Sequence, residues 1–116
     1  MITHEILLDM TPIPGEKPQE INLNQEDADY RLKATLYSDL GEFTIESGTT
    51  ASIRGRKPDG TAYTKAATLN GNVVTVNGDS DMTAAAGIGV FEFCLTHNGK
   101  ELYSPNIHAR IEPKTA

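Results

Sequence analysis

An all-β fold is what the sequence predicts: an immunoglobulin-like antiparallel β-sandwich of about seven to eight strands, with one short helical turn near 79–87. A small β-barrel is the alternative. Three observations carry this expectation. Apolar residues recur with period two in several short runs. Asn-Gly or Asp-Gly pairs fall between those runs, where tight hairpins form. No segment keeps a helical apolar stripe long enough for an amphipathic helix.

The elements follow in order. Ile2, Ile6 and Leu8 share a face in the opening run, although Leu7 blurs the alternation. Residues 11–20 hold three prolines and a glycine, so they predict a surface loop. Tyr30, Leu32, Ala34 and Leu36 alternate with Arg31, Lys33, Thr35 and Tyr37, which is the pattern of a strand with one wet face. Runs at 51–57, 61–69 and 72–76 are rich in Thr, Ala, Ile and Val and read as shorter strands. Asp59-Gly60 and Asn70-Gly71 link these into a three-stranded meander. From Asp79 to Gly87 the alanines favour a helical turn that Asp79 or Ser80 caps and Gly87 stops. Phe91, Phe93 and Leu95 then alternate with Glu92, Cys94 and Thr96, and Asn98-Gly99 turns that strand back. Tyr103, Ile107, Ala109 and Ile111 share a parity, so a last strand covers much of 101–112. Pro105 within it requires an edge or a bulge, because proline cannot donate to a ladder. The expected organisation is one domain over 1–112 and a frayed tail over 113–116.

The chain has 116 residues and 12.6 kDa, room for one modest core. Only 6% of residues are aromatic and Trp is absent, so aliphatic packing must dominate. The formal charge of −6 sets sixteen acids against ten bases. That balance makes nucleic acid and anionic membranes poor partners. Arg54, Arg56 and Lys57 form the one local basic cluster, and a solvated strand face accounts for it. No apolar run approaches the ~18 residues of a membrane helix, and Met1-Ile2-Thr3-His4-Glu5 lacks the character of a signal peptide. A single cysteine excludes an internal disulfide.

Chemistry-bearing constellations are sparse. His4, His97 and His108 fall on separate elements. Cys94 with a histidine would make a nucleophile–base pair, but a strand cysteine reads more simply as a small buried hydrophobe. Glu26, Asp27 and Asp29 form one candidate metal cluster, and Asp79 with Asp81 resembles the start of a calcium loop. The second series stops at Thr83 and the alanines, so a turn and a helix start explain these acids without a metal. No glycine-rich phosphate loop occurs. The sequence therefore predicts no catalytic residue, no metal, no cofactor and no enzyme.

The order of turn motifs carries a resemblance. An apolar strand from Ile2 to Leu8 precedes a polar loop, then Gln25-Glu26-Asp27 leads through Tyr30-Arg31 into an alternating strand. Lys57-Pro58-Asp59-Gly60-Thr61 closes the next strand, and another begins after Asn70-Gly71. Ala86-Gly87 opens the strand of Phe91-Glu92-Phe93, and the last strand begins Ser104-x-x-Ile107. In this order the chain resembles the amino-terminal domain of the baseplate upper protein of tailed phages infecting Gram-positive bacteria. The family often carries a small residue or glycine where this chain has Glu26.

The resemblance implies a virion structural role: a β-sandwich made in the host cytoplasm that docks onto the tail hub, with receptor-binding components attached downstream. The implied partners are phage or prophage tail and baseplate proteins, and a homo-oligomer is compatible with it. Docking would use exposed strand edges or an apolar patch, with the 11–20 loop and the outward faces of the first and last strands contributing. The competing expectation is a carbohydrate-binding or adhesive sandwich that stacks sugars on Tyr30, Tyr37, Tyr63, Tyr103 and Phe43.

Overall fold

The computed structural model describes residues 1–11, 17–39 and 41–114. It is all-β. Ten strands occur among these residues: β1 (Ile2–Asp9), β2 (Gln19–Asn24), β3 (Tyr30–Ser38), β4 (Gly41–Glu42), β5 (Thr50–Arg56), β6 (Ala62–Asn70), β7 (Val73–Asn77), β8 (Gly87–His97), β9 (Lys100–Tyr103) and β10 (Ile107–Glu112). Hydrogen bonds run along one path, β1-β3-β7-β6-β5-β8-β10-β2, with β4 on β3 and β9 on β8. β6 carries the path round a bend, pairing with β5 over Ala62–Ala67 and with β7 over Thr68–Asn70. The end strands β1 and β2 approach each other. The result is a mostly closed, barrel-like sheet.

The meander expected over the middle of the chain is β5-β6-β7, and Phe91-x-Phe93-x-Leu95 lies in β8 as the alternation requires. The expectation of antiparallel pairing throughout is corrected: β1 with β3 and β10 with β2 are parallel. The halves on either side of the β6 bend, β1-β3-β7 and β5-β8-β10-β2, are continuous through that strand. The strand count also exceeds the expected seven to eight. Part of the excess is β2, whose Ile21 and Leu23 are buried between exposed polar neighbours. Its asparagines have low strand propensity, and the pairing with β10 stabilises it instead. The rest comes from the short β4 and from the last run, which Pro105 splits into β9 and β10 across 104–106. That break turns Tyr103 outward, where it is 40% exposed. Of the loop expected over 11–20, residues 12–16 lie outside the described residues, as do 115–116 of the expected tail. At the near end of that tail, Lys114 N–H donates to Gln25 Oε1 at 3.0 Å.

No helical turn forms over 79–87. Residues 80–83 make a turn, 84–85 a bend, and β8 begins at Gly87. Asp79 Oδ1 accepts from Met82 N–H at 2.9 Å, the local cap expected of it, but long-range bonds take over beyond it: the fully buried Thr83 donates its hydroxyl to Asp27 O at 2.7 Å. The segment is a strap tied at both ends.

The three Gly-containing turns all close hairpins, each with its own geometry. Asn98 (φ 51°) and Gly99 (φ 75°) both take the left-handed region, the type I′ requirement. At 70–73 the loop is Gly71-Asn72, because Asn70 pairs with Val73 and only Gly71 is left-handed. At 57–61 Gly60 N–H donates to Lys57 O at 2.8 Å, so Pro58, Asp59 and Gly60 make a three-residue loop ending in a left-handed glycine.

The core contains Leu8, Leu32, Leu36, Ile53, Val74, Phe93, Ile107 and Ile111, all at 2% exposure or less. Each such side chain contributes about 1.5–3 kcal/mol of burial. Glu26 has φ 67° and takes the left-handed region. Its N–H donates to Thr83 O at 2.9 Å, which holds the turn under the strap. Glu26→Gly is expected to raise stability by about 0.5 kcal/mol. Relief of about 1–2 kcal/mol of left-handed strain is partly offset by about 0.5–1 kcal/mol of lost chain entropy. Urea denaturation checks this, and a variant less stable than the parent contradicts it.

Candidate functional site

The residues singled out for chemistry are dispersed. Cys94 is buried on the outward face of β8, and its Sγ touches Thr96 Oγ1 at 3.9 Å. His97, three residues on, has the opposite parity. Its Nε2 lies 2.9 Å from Glu46 and its Nδ1 3.4 Å from Thr49 Oγ1. His108 is on β10 opposite Val90, and His4 stacks edge-on against Tyr30. The cysteine and the histidines are not brought together.

The acidic clusters are divided among individual partners. Glu26 meets Lys114 Nζ at 2.8 Å, Asp27 Oδ1 accepts from Asp29 N–H at 3.0 Å, and Asp29 lies 3.6 Å from the terminal amine. Asp81 is paired with Lys57 at 2.7 Å and Asp79 with Lys65 at 3.3 Å. Ammonium groups stand where a cation would. No cluster of three candidate ligands occurs among the described residues.

Asp79 is a structural hub. Besides Met82 and Lys65, its Oδ2 accepts from Tyr63 Oη at 2.9 Å, and its carbonyl accepts from Tyr30 Oη at 3.1 Å. Burial alone would raise its carboxyl. The bonds from Met82, Tyr63 and Lys65 outweigh that and hold it below the ordinary carboxylate value. Burial, and then the carboxylate that accepts its proton, push the Tyr63 hydroxyl well above its usual value.

The aromatics do not form a sugar platform. Tyr30 and Tyr63 are buried at 0% and 5% exposure, and Phe43 packs against the core. Tyr37 sits on β3, and Tyr103 on β9, which pairs with β8 off the main path. A cleft of about 340 Å³ lies between Leu7–Met10, Lys17–Gln19 and Tyr103–Asn106. Another, of about 220 Å³, has Phe43, Ile45, Leu95 and Leu102 as its apolar lining.

The most distinctive surface is the outward face of β5, β8, β10 and β2. Register sets Arg56, Val90, His108 and Glu20 in one row and Ile88, Arg110 and Asn22 in the next. Ile88 is 53% exposed and Val90 36%; Val90 is flanked by both β5 and β10, and Ile88, two residues away at the end of β8, by β10. Outward positions there are ordinarily polar. Arg54 bonds Glu92 at 3.2 Å and lies 4.1 Å over the Tyr103 ring, while Arg110 bonds Glu112 at 2.9 Å. Sequence reading found Arg54 and Arg56 but not this face. Ile88 and Val90 were not singled out in the sequence, and only the pairing of β8 with β10 brings Arg110 beside them.

Compared with solved structures, the chain is similar to the N-terminal domain of phage TP901-1 ORF48. The TM-score is 0.71 at 12% identity, and the match covers 97% of this chain and 99% of that one. The chain shares the fold of that phage domain. No protein-family model matches it, and no curated protein does. The phage domain and this chain correspond end to end, so the likeness takes in the whole barrel-like sheet rather than a shared hairpin. No helix among the described residues is long and apolar enough to cross a membrane.

Proposed function

We propose that the chain is a phage or prophage structural protein, a tail baseplate adaptor module that docks onto the tail hub and carries receptor-binding components. It works by binding rather than catalysis, and its place is the virion. The observation that supports this reading is the end-to-end likeness to a phage domain, over 97% and 99% of the two chains. The ordered motifs from Ile2–Leu8 to Ser104-x-x-Ile107 point the same way. So does the surface: its notable features are exposed apolar and arginine side chains on sheet faces, which suit protein contact.

The test is proteomic. Particles purified from a host that encodes this chain should contain it at a fixed ratio to the tail hub protein. Disrupting its gene should leave tails that keep the hub and lose the receptor-binding parts. Intact, infectious particles without the chain would refute the assignment.

A further inference from the structure

We infer that the outward face of β5, β8, β10 and β2 is a self-association surface, and that a second copy of this chain covers it. Composition is the first support. Three of the four arginines, Arg54, Arg56 and Arg110, stand on outward positions of these strands, and none of the six lysines does. Arginine enrichment with lysine depletion around an apolar centre is the pattern of protein interfaces, and Ile88 with Val90 supplies the centre.

Charge selects the occupant. Arg54, Arg56 and Arg110 are matched on the same four strands by Glu20, Glu92 and Glu112, so this face is neutral and the chain's −6 lies elsewhere. Glu101, on β9 at the margin, accepts from the Tyr103 hydroxyl. Two copies meeting through other surfaces bring like charges together. Here they meet without net repulsion, because Arg54–Glu92 and Arg110–Glu112 are neutralised within each copy. A two-fold axis near Ile88 and Val90 makes such a contact isologous, apolar centre on apolar centre. The face is four strands wide, about 19 Å at the usual strand spacing. Over strands about 25 Å long that gives on the order of 500 Å² per copy, below a standard interface. The dimer is therefore reversible, with the sheets stacked about 10 Å apart and their strands within about 30° of alignment.

Sedimentation velocity on the full chain across micromolar to submillimolar concentrations tests this. The weight-average mass should climb from 12.6 kDa toward twice that value. Ile88→Glu or Val90→Glu should weaken association about tenfold or more, as loss of an interface centre does. Leu7→Glu, a change at a 60% exposed position on β1, should leave it unchanged. The exposure of Ile88 lets its variant fold, and circular dichroism verifies that. A wild-type chain monomeric throughout, or equal loss with Leu7→Glu, overturns the inference. A monomer whose Ile88→Glu variant fails to enter particles assigns the face to a tail protein, which also overturns it while the tail reading stands. A dimer that responds as expected, in a chain absent from particles, upholds the inference and removes the tail reading.

Discussion

Gly78→Ala is expected to destabilise the chain by about 3 kcal/mol or more, the upper end of what overpacking a core costs. A Cβ at this position would overlap three ring carbons of Tyr30. The ring cannot yield easily. It is fully buried, its hydroxyl donates to Asp79 O at 3.1 Å, and its carbonyl accepts from Gly78 N–H at 2.8 Å. For a domain of this size such a loss lowers the melting temperature by roughly 10–20 °C. Thermal unfolding measures it, and a change below about 1 kcal/mol would contradict the packing described. The cause can be isolated by repeating the substitution in a Tyr30→Leu chain. With the ring gone, the two costs should fall well short of additive.

Removing the hub carboxylate is the second large effect. Asp79→Ala leaves the buried Tyr63 hydroxyl without its acceptor and frees Met82 N–H, while Lys65 keeps its bond to Asn77 O. An unsatisfied buried hydroxyl costs about 1–3 kcal/mol, and loss of the turn bond adds to it. A total of about 2–4 kcal/mol follows, less in a Tyr63→Phe background. The charge itself has a pH signature. Because the folded carboxyl is held below the ordinary value of about 3.9, its contribution is complete above that value. It is lost as pH falls from there through the lowered folded value. The stability difference between the parent and Asp79→Asn should therefore be flat at neutral pH and shrink under acid. A difference that grows under acid would show that the bonds to Asp79 do not favour its charged form.

Much of the sheet was legible because period-two alternation and Gly-containing turns are local signals. β3, β5, β6, β7 and β8 lie where Tyr30-x-Leu32, Ile53, Val74-x-Val76 and Phe91-x-Phe93 place them. Illegible were the features fixed at long range. β2 carries only the brief alternation of Ile21 and Leu23 between polar residues of low strand propensity, and its pairing with β10 is what makes it a strand. The strap at 79–87 stays non-helical because Tyr63 and Asp27, distant in sequence, bond Asp79 and Thr83. Pro105 signalled an interruption, but not that Tyr103 would face outward as a result. Of the candidate surface, Arg54 and Arg56 were visible as a cluster. Its apolar centre and neutrality needed the cross-strand register.

The parallel alignment of β2 with β10 also bears on synthesis. Gln19 is in register with Ile107, and the last strand emerges from the ribosome only after nearly all the others. At about 5–20 residues per second, the stretch between them takes roughly 4–18 s to make. Through that interval one border of the nascent sheet has no neighbour on which to close. Holdases that grip extended apolar segments would find Ile21 and Leu23 bare until β10 arrives.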